Sequence, residues 1–133
     1  MENNEHTNIK NAASILLLSI ANADNNIDKN ELKLTKDIIK DFFSLNDENT
    51  YEIIEEAIIN HKKSTSYFEY AQLLNEKFSY QDKIDFIFCI YEIGYADNDL
   101  NYKEKHLIKQ IADILKIDKK DLIKIKLEIQ KYL

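Results

Sequence analysis

The chain has no proline, no tryptophan, no arginine, one glycine and one cysteine in 133 residues. With Gly94 alone and no proline, the residues that hairpins and tight turns depend on are missing, which excludes a strand-rich fold and points to helices. The lack of arginine means that all 18 basic residues are lysine. Bidentate guanidinium forks suited to phosphates and base edges are therefore absent. With a net charge of −6, nucleic acid is not an expected partner. The lone Cys89 excludes an intrachain disulfide, and its place in Phe86-Ile87-Phe88-Cys89-Ile90 reads as a core thiol. His6, His61 and His106 are too scattered for a zinc site.

A hydrophobic content of 44% suits a globular protein, and the length suits one domain spanning residues 1–133. Charge is uneven: residues 1–60 carry 12 acids against 5 lysines, and residues 61–133 carry 12 acids against 13 lysines. The apolar stretch 12–21, followed by Ala21-Asn22-Ala23, imitates a signal peptide with its cleavage site. Glu2 and Glu5 ahead of it oppose the positive leader that export requires, and the same pattern recurs around residues 86–96. The run is also shorter than the roughly 20 residues that span a bilayer. A cytoplasmic protein without a membrane anchor is expected.

That recurrence is an internal repeat. Ala23-Asp24-Asn25-Asn26-Ile27-Asp28-Lys29-Asn30-Glu31 aligns with Ala96-Asp97-Asn98-Asp99-Leu100-Asn101-Tyr102-Lys103-Glu104 at an offset of 73 residues. Leu17 and Ile20 fall over Ile90 and Ile93 upstream, and Leu34 and Ile38 over Leu107 and Ile111 downstream. One deleted residue then sets Leu45-Asn46 over Ile117-Asp118. The repeated unit is three helices long, over about 8–62 and 80–132, with a bridging helix at about 64–79 between the copies.

Helix boundaries follow from local chemistry. Apolar residues at Ile9, Ala12, Ala13, Leu16, Leu17 and Ile20 keep helical spacing until Ala23-Asp24-Asn25-Asn26 breaks it. A helix from Lys29 has Asp28 as N-cap, Glu31 as capping-box partner, and Ile27 with Leu32 as a hydrophobic staple. Further helices are expected at about 47–62 behind Asn46, 67–78 behind the box Ser66-x-x-Glu69, from Ser79 into the second loop, and at 102–116 and 119–132.

The two acidic loops are the one constellation with evident chemistry. Asp24, Asp28 and Glu31, with Asn26, gather hard oxygen donors that suit Ca²⁺ or Mg²⁺, and Asp97, Asp99 and Glu104, with Asn101, do so again. An EF-hand is excluded, because Lys29 or Tyr102 stands where its glycine belongs and Thr35 or Ile108 where its final glutamate belongs. The same residues also read as helix caps and Asx-turns, each cap worth on the order of 1 kcal/mol. Both readings stay open on the residues alone.

A helix ending in Ala21-x-Ala23-Asp24, a short loop, and a helix opened by Glu31, repeated from Gly94-Tyr95-Ala96-Asp97, together resemble the TerB family. Its relatives include the N-terminal portion of DjlA-type co-chaperones. The resemblance covers residues 8–130. It implies an all-α, seven-helix bundle with pseudo-two-fold symmetry, a link to tellurite resistance and stress, and divalent-metal ligands at Asp24, Asp28, Glu31, Asp97 and Glu104. Asn101 departs from the family's usual acid, and Asn25 or Asn98 replaces its common loop glycine. No His-Pro-Asp motif or transmembrane segment of a J-protein is present in the sequence.

The expected function is a non-enzymatic, stress-linked interaction module for a protein partner, with a divalent cation at the loops. The alternative is a metal-independent scaffold whose loop acids are caps. Carboxylates without a paired base, nucleophile or phosphate-cradling glycines give no reaction.

Overall fold

The computed structural model describes residues 2–21, 29–63, 67–95 and 102–131. Among them are seven α-helices and no strand: α1 (Glu2–Ala21), α2 (Lys29–Phe42), α3 (Asp47–Lys63), α4 (Phe68–Lys77), α5 (Tyr80–Gly94), α6 (Tyr102–Ile114) and α7 (Lys119–Lys131).

Helix α1 is the axis of the bundle. Ala12, Ala13, Ile15, Leu16, Leu17, Leu18, Ile20 and Ala21 are all buried, so the helix is enclosed on every side rather than along one stripe. It packs against α2, α3, α4, α5 and α6. The stretch that imitates a signal peptide is thus the centre of the core. Among the described residues, no helix is long and apolar enough to cross a membrane.

The main core joins Leu16, Leu17 and Ile20 of α1 with Ile38 and Ile39 of α2, Ile54 of α3, Leu74 of α4, Phe86, Ile87 and Ile90 of α5, and Ile108 and Ile111 of α6. On another face of α1, Ile15 and Leu18 pack with Ala57 of α3. Phe42, Phe78 and Phe86 form a three-ring cluster with centroids 5.6–5.9 Å apart.

Two helix ends share one backbone device. After α2, the Leu45 N–H donates to the Lys40 carbonyl (2.9 Å) and the Ser44 N–H to that of Asp41 (3.3 Å). After α6, Ile117 and Lys116 donate in the same way to Ala112 and Asp113, both at 3.1 Å. These are Schellman closures, and each places a residue in the left-handed region, Ser44 at φ 54° and Lys116 at φ 57°. Ser44 and Lys116 are the positions that the sequence alignment superposes, immediately before Leu45 and Ile117.

Helix starts follow local caps where tertiary contacts allow. Asn46 Oδ1 accepts from the Asn49 N–H at 2.7 Å, and Ser79 Oγ from the Asp82 N–H at 3.1 Å. Helix α4 departs from the expected Ser66 box: its N-cap is Tyr67, without a side-chain cap. Tyr67 donates its hydroxyl to Gln110 of α6, which ties this end of α4 to another helix. Ser66 lies outside the described residues, as do Ile27 and Asp28 of the expected α2 entry. Helix α4 packs on α1 and α6. At the start of α7, Tyr80 Oη of α5 accepts from the Asp118 N–H (3.0 Å) and donates to Asp121 Oδ2 (2.5 Å).

Candidate functional site

Helices α2 and α6 each carry, as their third residue, a buried glutamate: Glu31 is 5% exposed and Glu104 is 4% exposed. A carboxylate in the first turn interacts favourably with the positive end of the helix dipole. Burying its charge is costly unless partners compensate, and neither glutamate lacks an interaction partner. One turn later the helices turn a second residue inward. Thr35 in α2 is fully buried, its hydroxyl donating to the Glu31 carbonyl at 2.8 Å, and Ile108 occupies the matching place in α6.

The helices that carry these glutamates are tied across the bundle. Helix α2 packs on α1 and α5, and α6 packs on α5 and α1. The helices that precede them end on buried small residues, Ala21 in α1 and Gly94 in α5. Two of the six expected ligands, Glu31 and Glu104, are therefore placed. Asp24, Asp28, Asp97 and Asp99 lie outside the described residues, as do Asn26 and Asn101. Among the described residues, no group of three or more His, Cys, Asp or Glu is arranged to hold a metal.

Other reactive groups are absorbed by the fold. The Ser14 and Ser19 hydroxyls donate to the carbonyls of Lys10 and Ile15, both at 2.8 Å, which occupies them within α1. His61 is half-buried, and desolvation pushes its pKa below the usual imidazole value. Desolvation raises the Cys89 thiol to about 12, with nearby Glu92, Asp85 and Asp41 adding to the shift, so it stays protonated and inert. Burial likewise raises the Glu92 carboxyl.

The family model described as tellurite resistance protein TerB matches the sequence over residues 10–127. The chain belongs to the TerB family. No match was found among curated proteins or among solved structures. The match runs from the first half of α1 almost to the end of α7, so both glutamates and both connecting segments lie inside the TerB domain.

Proposed function

We propose that this TerB domain is a non-enzymatic, stress-linked interaction module whose conformation is tuned by a divalent cation at each acidic segment. The observation that supports it is the pair of buried carboxylates, Glu31 and Glu104, held at equivalent points of α2 and α6. Asp24, Asp28 and Glu31 would hold one cation, and Asp97, Asp99 and Glu104 the other. The donor set is hard oxygen, which fits Ca²⁺ or Mg²⁺. Bound there, the cation supplies positive charge that joins a segment rich in acids to the first turn of the following helix. The two halves of the chain are read as copies of one unit, so the cation is expected to act at both.

Tellurite resistance, the role named in the family's description, belongs to the same proposal as a stress phenotype of the module. Partner binding is the expected output, because the chain offers exposed aromatic residues such as Tyr51 and Tyr102 without an evident catalytic set.

Calorimetric titration with Ca²⁺, Mg²⁺ and Mn²⁺ tests the reading. Saturable heat is expected from the wild-type chain, roughly halved in Glu31→Gln or Glu104→Gln and lost when both are combined. At a hundredfold excess over Kd the cation should stabilise the fold by about 3 kcal/mol. Absence of heat with every cation would overturn the metal reading and leave the acids as helix caps.

A further inference from the structure

A cleft lies between α5, α6 and α7, with a volume of about 360 Å³. Tyr91 of α5 and Tyr95 just beyond its end line it, with Lys105 and Lys109 from α6 and Leu122, Lys126 and Gln130 from α7. The pairs at 105 and 109 and at 126 and 130 are each one helical turn apart, so each helix presents two polar side chains along a single ridge.

The charge of this corner is opposite to that of the whole protein. Residues 102–131 carry nine lysines against five acids in a chain of net charge −6. Glu104 is one of those acids and is buried. Lys105, Lys109 and Lys126 have no ion-pair partner among the described residues. Three lysines line one concavity, and an anion seated there would be attracted by each of them.

The floor supplies a further donor. Tyr91 is only 3% exposed, yet its hydroxyl makes no hydrogen bond with the described residues. Tyr91 is one of the residues that line the cleft. Its ring stacks on Tyr95 with centroids 6.4 Å apart, which fixes its direction. Burial raises its pKa to about 12, so it remains a proton donor at neutral pH.

From this cleft, its three unneutralised lysines and the unpartnered Tyr91 hydroxyl, we propose an anion-binding site for a phosphate-bearing ligand, distinct from the acidic segments. Lysine acts as a compact point charge, so net charge on the ligand decides the fit more than planar shape does. A phosphate group offers close to two charges and three acceptor oxygens, which matches three ammonium groups and a phenol better than a single carboxylate does. The volume leaves room for the group that bears the phosphate.

The test is a titration of the full chain with inorganic pyrophosphate at low salt, followed by amide chemical shifts. Saturable shifts are expected at Tyr91, Tyr95, Lys105, Lys109 and Lys126, with acetate producing none. The double variant Lys105→Gln with Lys126→Gln should weaken binding on the order of tenfold. Tyr91→Phe, which keeps the ring and its packing, should weaken it several-fold. The control pair Lys119→Gln with Lys124→Gln, exposed on α7 but outside the cleft, should bind as the wild type does. Vesicles then separate the source of the phosphate. Sedimentation with phosphoinositide vesicles that the cleft variant loses assigns a lipid headgroup, and pyrophosphate binding without sedimentation assigns a soluble ligand. No saturable shift at millimolar pyrophosphate, or equal weakening by the control pair, would overturn the site.

Discussion

The two central helices, α1 and α5, occupy equivalent places in the alignment but live in different surroundings. Leu16 of α1 is fully buried, whereas Cys89, its counterpart 73 residues on, is partly exposed. Ile15 is buried where Phe88 is half-exposed, and Ser19 donates to its own helix where Glu92 keeps a half-buried carboxyl. What the halves share lies at helix ends: a buried glutamate opening α2 and α6, and a left-handed closure after each. Helix ends set backbone direction, while outward positions face solvent and place little demand on the charge they carry. The halves also differ in charge, with 12 acids against 5 lysines in residues 1–60 and 12 against 13 in residues 61–133.

The largest expected difference is in packing. Leu16→Ala leaves a cavity in the enclosed helix and should cost about 3–5 kcal/mol. Cys89→Ala, at the matching place in α5, removes a smaller and partly exposed group and should cost about 1 kcal/mol. Urea unfolding of both variants measures the gap. Equal losses would mean that α1 and α5 carry the same share of the core.

A smaller asymmetry should emerge at high pH. The thiol of Cys89, ordinarily near 9.0, and the phenol of Tyr91, ordinarily near 10.0, are both raised to about 12 by desolvation. Their α1 counterparts are Leu16 and Leu18, which do not titrate. A folded-state pKa above the unfolded one means stability is complete below the unfolded value and is lost as pH rises toward the folded one. Stability should therefore fall between about pH 9 and pH 12, with Cys89 contributing on the order of 2 kcal/mol of the loss by pH 11. Comparing the urea midpoint against pH in the wild type and in Cys89→Ala checks this. The variant should keep the shallower slope left by Tyr91, and an unchanged slope would place the alkaline loss elsewhere.

Much of this architecture was legible in the sequence because helix ends leave local marks. Asn46 and Ser79 cap as expected, and α2, α3, α5, α6 and α7 start at the expected residues. Helix α1 begins at Glu2, ahead of the apolar pattern that starts at Ile9, because polar first turns carry no hydrophobic period. Helix α4 starts at Phe68, within one residue of the expected start, and the bond from Tyr67 to Gln110, 43 positions away in sequence, is a contact that local pattern does not reveal. Of the candidate metal site, the composition of the loops was readable but the burial of Glu31 and Glu104 was not, as capping glutamates are ordinarily solvated. The lysine-lined cleft was invisible for a similar reason: Lys109 and Lys126 become neighbours of one cavity only when α6 and α7 fold.

The smallest expected effects test what the halves share. Ser44 and Lys116 hold left-handed conformations at φ 54° and 57° without being glycine. A Cβ in that region costs about 1–2 kcal/mol, while glycine's extra freedom in the unfolded chain offsets roughly 0.5–1 kcal/mol of the gain from removing it. Ser44→Gly and Lys116→Gly should each stabilise the fold by about 0.5 kcal/mol, read as a rise in the thermal midpoint. Neither side chain belongs to the core, so packing is unchanged and the backbone effect is isolated. Matching gains would identify the two Schellman closures as one device used twice. A gain at Ser44 alone would mean that Lys116 gains more from its side chain than it loses to backbone strain, and the likeness of the halves would then end at α6.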